Sequence, residues 1–132
     1  MTQEEKELLL IDLCARLPYG VKCYEAEVGY AFDIIGTTSN NKEFVFSDGY
    51  ERNLEQIKPY LRSLSSMTDE EKKEANRLFT VLYDRNDVMC GIQINSFVQL
   101  DKVIEWLNKR YFDWRGLIPK GLAIEAPEGM YK

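Results

Sequence analysis

The chain has 132 residues, of which 45% are hydrophobic and 30% charged, and this ordinary globular balance excludes an intrinsically disordered chain. Its formal net charge is −5, concentrated in the front half, where residues 1–66 hold seven Lys/Arg against eleven Asp/Glu and residues 67–132 hold ten against eleven. That balance disfavours nucleic-acid binding by bulk charge, no apolar run approaches the ~20 residues of a membrane span, and one domain over 1–132 is expected.

Thr2 and Glu5 form a T-x-x-E capping box, which predicts a helix starting there. Leu10, Leu13, Cys14 and Leu17 then share one face, and Pro18 with Gly20 ends the helix. From Val21 the period changes. VKCYEAE, YAFDIIGT, KEFVFS and YERN are short, aromatic or β-branched segments, separated by turn signals at Val28-Gly29, Asn40-Asn41 and Asp48-Gly49. They predict an antiparallel β-meander of three or four strands over about 21–53, with a barrel-like closure as one option. Asn53 can cap a short helical turn through Ile57, ended by Pro59, and Tyr60–Ser66 should run extended.

Thr68 and Glu71 form a second capping box, which explains the acidic run Asp69-Glu70-Glu71: unpaired N–H groups in a first helical turn favour negative charge. The expected helix continues through Ala75, Leu78, Phe79 and Leu82, fraying near Asn86-Asp87. VMCGIQI (88–94) reads as a strand with a possible bulge at Gly91. A third capping signature, Ser96 with Gln99, opens a helix reaching about Tyr111, with Leu100, Val103, Ile104, Leu107 and Tyr111 inward. Leu117, Ile118, Leu122 and Ile124 are too apolar to dangle, so the Gly- and Pro-rich tail should be irregular but packed. The expected class is α+β: an N-terminal helix, a meander, two further helices and a packed tail.

The sequence has no histidine, and so lacks the commonest general base and the commonest metal ligand. Cys14, Cys23 and Cys90 show no C-x-x-C spacing and read as reduced thiols, with Cys14 and Cys23 on core faces. Gly116 and Gly121 have the spacing of a phosphate loop, but Leu122 and Ala123 stand where its Lys and Ser/Thr belong. Ser47, Ser63, Ser65 and Ser66 lack a nucleophile elbow, and Asp69, Glu70, Glu71 and Glu74 read as a solvated helix face. No catalytic residue, cofactor or metal is therefore assigned. The acidic N-terminus, MTQEEKELLL, is unlike a signal peptide, so a cytoplasmic location is expected.

One constellation remains. Lys109, Arg110, Arg115 and Lys120 interleave with Tyr111, Phe112 and Trp114. Cations at a helix C-terminus suit its dipole, and the aromatics can close a core. The same residue types dominate protein–protein hot spots and can stack nucleic-acid bases. Tyr111, Trp114, Arg115, Lys109 and Arg110 are thus the candidate partner-binding residues. A protein partner is favoured, and a small nucleic-acid-binding module with an SH3-like or OB-like barrel is the alternative.

Three blocks, LCARLPYGVK (13–22), KPYLRSLSSMTDEE (58–71) and WLNKRYFDWRGLIPKGLAIEAPEGMYK (106–132), resemble a family of small uncharacterised proteins of gut bacteria and their phages and mobile elements. In that family the first Ser of LRSLSSMT is often proline, so Ser63 departs from the pattern. The resemblance implies no activity and no catalytic residue. It does imply a mobile-element context. The favoured function is a non-enzymatic accessory protein acting through protein–protein interaction.

Overall fold

The computed structural model describes all residues except 26, 28, 39–42, 88, 96–99 and 132, and only the backbone of Met89 and Cys90. The turn at Asn40-Asn41, the Val28 of the first turn, the Ser96/Gln99 cap and the Cys90 thiol lie outside the described residues. Helix α1 spans Gln3–Arg16, opened by Thr2 and Glu5 in the expected reciprocal box. Four antiparallel strands follow: β1 (Lys22–Glu25), β2 (Tyr30–Thr37), β3 (Glu43–Phe46) and β4 (Glu51–Asn53). A bulge between Ile34 and Gly36 in β2 leaves Ile35 exposed. Asn53 caps a short 3₁₀ turn at Leu54–Gln56.

Strand β5 (Ile57–Leu61) then pairs antiparallel with β1, and the tail returns as the two-residue β8 (Ile124–Glu125), parallel to β5. Pro59 therefore sits within a strand that takes up the first part of the expected extended run, instead of ending a helical turn ahead of it; β8 pairs only with Tyr60 and Leu61, beyond it. The sheet order is β4-β3-β2-β1-β5-β8, an open mixed sheet that does not close into a barrel. Helix α2 spans Asp69–Leu78, strands β6 (Phe79–Tyr83) and β7 (Met89–Ile94) form a separate hairpin, and α3 spans Leu100–Lys109. The architecture is α+β, and among the described residues no helix is long and apolar enough to cross a membrane.

Two cores divide the buried side chains. Leu9 and Leu13 of α1 pack on Cys23, Ile34, Phe44, Phe46, Ile57 and Leu61 of the large sheet, sealed by Leu117 and Leu122 from the tail. The second core gathers Leu64, Met67, Ala75, Phe79, Val103, Leu107 and Phe112 beneath the hairpin.

Three readings of the sequence need correction. The buried face of α1 is Leu9, Asp12, Leu13 and Arg16, one residue round from the apolar stripe, and Cys14 is exposed. The stripe lost because Asp12 and Arg16, one turn apart, neutralise each other and can be buried together. Helix α2 stops at Leu78 instead of running past Leu82, because the β-branched and aromatic FTVLY has a strand to pair with, in register Val81↔Ile92. Helix α3 ends at Lys109 with Leu100 exposed, and Tyr111 leaves the helix in the left-handed conformation (φ 63°).

Burial pushes both described thiols upward, but only modestly for the exposed Cys14 and strongly for the buried Cys23, where Asp12 and Asp33 add to the effect. Under native conditions a thiol reagent, mapped by mass spectrometry, should modify Cys14 readily and reach Cys23 only on unfolding. Equal rates at the two positions would show that α1 does not present the Asp12–Arg16 face to the sheet.

Candidate interaction site

The segment from Tyr111 to Arg115 lies at the seam between the two cores. Its entry is a helix-end motif in which the Phe112 N–H donates to Leu107 C=O and the Tyr111 N–H to Asn108 C=O. Glycine is the usual residue at the left-handed position of such a motif, and Tyr111 occupies it at a conformational cost of about 1 kcal/mol. The ring compensates. It stacks on Tyr131 (centroids 3.7 Å apart, 11° between planes), and its hydroxyl donates to Tyr19 C=O at 2.5 Å. Tyr131 Oη in turn accepts from the Lys22 N–H (2.9 Å) and donates to Tyr60 C=O (2.7 Å). Burial raises both phenols above the ordinary tyrosine range.

Arg115 also turns inward. Its guanidinium donates to Asp12 Oδ1 at 2.6 Å and lies 4.0 Å above the Trp114 ring. Asp12 simultaneously receives Arg16 Nε (2.8 Å) and Nη2 (3.0 Å), and Arg16 Nη2 reaches Phe112 C=O at 2.6 Å. Both Asp12 and Arg16 are fully buried, and Arg16 Nη1 has no partner. Asp113 adds a second carboxylate; burial raises it, while the N–H groups of Leu117 and Ile118, both bonded to it, pull the other way. Two guanidinium groups and two carboxylates thus balance inside the fold.

Trp114 is half-buried, its Nε1 donating to Asn108 Oδ1 at 3.0 Å. Lys109 is exposed, whereas Arg110 bonds Glu74 at 3.0 Å and covers the Trp106 ring at 4.5 Å. Of the five sequence-selected residues, Lys109 alone faces solvent; the other four are tied to neighbours in the fold.

The Ser-rich stretch ahead of α2 has a comparable internal role. Arg62 grips Glu71 through two bonds (2.7 and 2.9 Å), donates to Ser66 C=O and stacks 4.3 Å above Phe112. Its backbone bridges the same segment, with Arg62 N–H to Tyr111 C=O and Asp113 N–H to Arg62 C=O. A cavity of about 640 Å³ opens beside it, between Arg62, Thr68 and Glu71 on one wall and Glu125, Pro127 and Tyr131 on the other. Among the described residues no group of three His, Cys, Asp or Glu could hold a metal ion.

An unpaired strand edge lies elsewhere, on the hairpin. Leu78 C=O accepts from the Asn95 N–H, and the Phe79 N–H turns back to Ala75 C=O. In the antiparallel register these fix Thr80 and Leu82 as the residues whose backbone groups face β7, so those of Val81 face away. Among the described residues β6 pairs with β7 alone. A trough of about 450 Å³ runs along that free edge, floored by Leu64, Met67, Ala75 and Phe79 and flanked by Val81 and Tyr83. It touches both Thr80 and Val81, which point to opposite faces, so it follows the strand edge and not one face. FTVLY carries no charge or proline, two of the devices that ordinarily protect a strand edge, and its register shift lies at the far end, between Leu82 and Tyr83. Comparison with protein-family models, with curated proteins and with solved structures finds no match.

Two measurements check this network. Asp12→Ala leaves two guanidinium groups facing each other in the interior and should cost ~3–5 kcal/mol in urea unfolding; a loss under ~1 kcal/mol would show that water reaches the cluster. At Glu71, burial favours the neutral form, but Arg62 and the Thr68 N–H outweigh it and hold the carboxyl below the ordinary glutamate range. The stability it supplies is full above that range and is lost as pH falls through the depressed value. Unfolding followed across the acid range should therefore decline less steeply in Glu71→Gln than in the wild type.

Proposed function

We propose that the chain is a non-enzymatic accessory protein of a phage or mobile element that works by protein–protein interaction, accepting an extended segment of its partner along β6. The carrying observation is the edge of Val81, unpaired among the described residues, beside the apolar trough of Leu64, Met67, Ala75 and Phe79. Strand addition uses those two features together: main-chain hydrogen bonds supply affinity, and a trough takes alternate side chains. The setting in a mobile element rests on the resemblance of the three sequence blocks. Nucleic acid is the weaker reading, because Arg110 and Arg115 are engaged within the fold and the net charge is −5.

A photo-crosslinking residue at Thr80, in cells carrying the element, should trap a protein whose purified form binds the wild type. Val81→Pro removes the outward N–H and takes no bond from β7, so it should keep cooperative thermal unfolding while weakening that binding at least tenfold, ~1.4 kcal/mol. Undiminished binding to a folded Val81→Pro variant would refute the reading. If Val81→Pro unfolds, hydrogen exchange on the wild type decides instead: the Val81 amide should exchange fast when free and become protected by the partner.

A further inference from the structure

Building on the strand-addition reading, we infer that the partner segment carries an acidic side chain where it passes α2, within an otherwise alternating apolar sequence. Charge in and around the trough carries this. The chain holds 22 acidic against 17 basic residues, yet among the described residues no carboxylate lines this trough. Among the described residues Lys72 is the one charged residue on its wall. It is exposed and, among the described residues, forms no ion pair, whereas Arg62 and Arg110 nearby are held by Glu71 and Glu74. One turn further along α2, Asn76 lines the same wall, and Ser65 closes it on the other side. The floor between these polar rims is Leu64, Met67, Ala75 and Phe79.

An extended chain along β6 would therefore place apolar residues on that floor at every second position, and one side chain of the other parity could swing toward Lys72. A carboxylate there gains an ion pair at the rim, partly shielded from water by the trough. A lysine or arginine meets a like charge with no carboxylate among the described wall residues to offset it, which is a means of rejecting wrong partners. The neighbouring 640 Å³ cavity is the opposite case: among the described residues Glu71, Glu125 and Glu128 stand on its walls with Arg62, so the acidic preference belongs to the β6 trough.

The probe is a random dodecapeptide library displayed against the immobilised full-length chain. Enriched peptides should alternate apolar residues and carry Asp or Glu at one register position. Synthetic copies should bind Lys72→Glu at least tenfold more weakly than the wild type, Lys72→Met by an intermediate factor, and wild-type binding should weaken as salt is raised. Selection repeated on Lys72→Glu should enrich Lys or Arg at that same position. Peptides that lose affinity for Val81→Pro but show no acidic bias, or bind Lys72→Glu equally, would overturn the charge inference and leave strand addition standing. Peptides indifferent to Val81→Pro would overturn strand addition itself, and enrichment of nothing would count against both. Light scattering that showed a wild-type dimer dispersed by Val81→Pro would make a second copy the occupant and refute the acidic partner.

Discussion

Much of this structure depends on one buried carboxylate. Asp12 sits on the inner face of α1 and receives Arg16 from its own helix and Arg115 from a segment 103 residues further along the chain. Burying charge in this way is costly unless each group is bonded as well as neutralised. Arg16 meets that condition at Nε and Nη2, the latter donating also to Phe112 C=O, and so the helix, the end of α3 and the tail are required to meet at one point. A well-packed apolar trio of similar volume could supply as much stability. What the ion cluster adds is direction, since a guanidinium fork accepts far fewer arrangements than a methyl group does.

From that point the seam between the two cores follows. Phe112 belongs to the second core, Leu117 to the first, and the segment between them is bridged by the backbone and guanidinium of Arg62. Tyr111 is drawn into the left-handed region and repaid by its stack on Tyr131, whose hydroxyl ties the tail across the ends of β1 and β5. With this much polar chemistry consumed internally, the hairpin β6–β7 still leaves one edge of β6 unpaired among the described residues. Its inner face is anchored by Phe79, in edge-to-face contact with Trp106, so the free edge is held in place while it remains open.

The candidate site was only partly legible in advance. Residues 109–115 stood out because tryptophan, tyrosine and arginine are suited to recognition, yet the same properties suit a polar seam: planar donors, large area and few rotamers. Sequence could not separate the two uses, because they differ in which partners surround the side chain. Asp12 and Arg16 left a weaker trace, an acid four residues before a base, which on most helices marks a solvated pair. The edge of β6 left almost none, since Phe79–Tyr83 also continues the apolar spacing of α2.

Local chemistry determined the elements that depend on local chemistry. Thr2 with Glu5, Asn53 with Gln56 and Thr68 with Glu71 close reciprocal caps within four residues, and the four meander strands declare themselves by alternation and by turns such as Asp48-Gly49. No distant residue is needed for any of these, so the sequence alone determined the α+β class, a meander of three or four strands and two helix starts. Tertiary structure decided which face of α1 turns inward, where α2 gives way to a strand, how β8 returns beside β5 and why the sheet stays open. Each of these outcomes turns on a partner far away in the chain: Arg115 for Asp12, Ile92 for Val81, Ile124 for Tyr60. Hydropathy ranks each residue by itself, and only the fold supplies the second half of a pair.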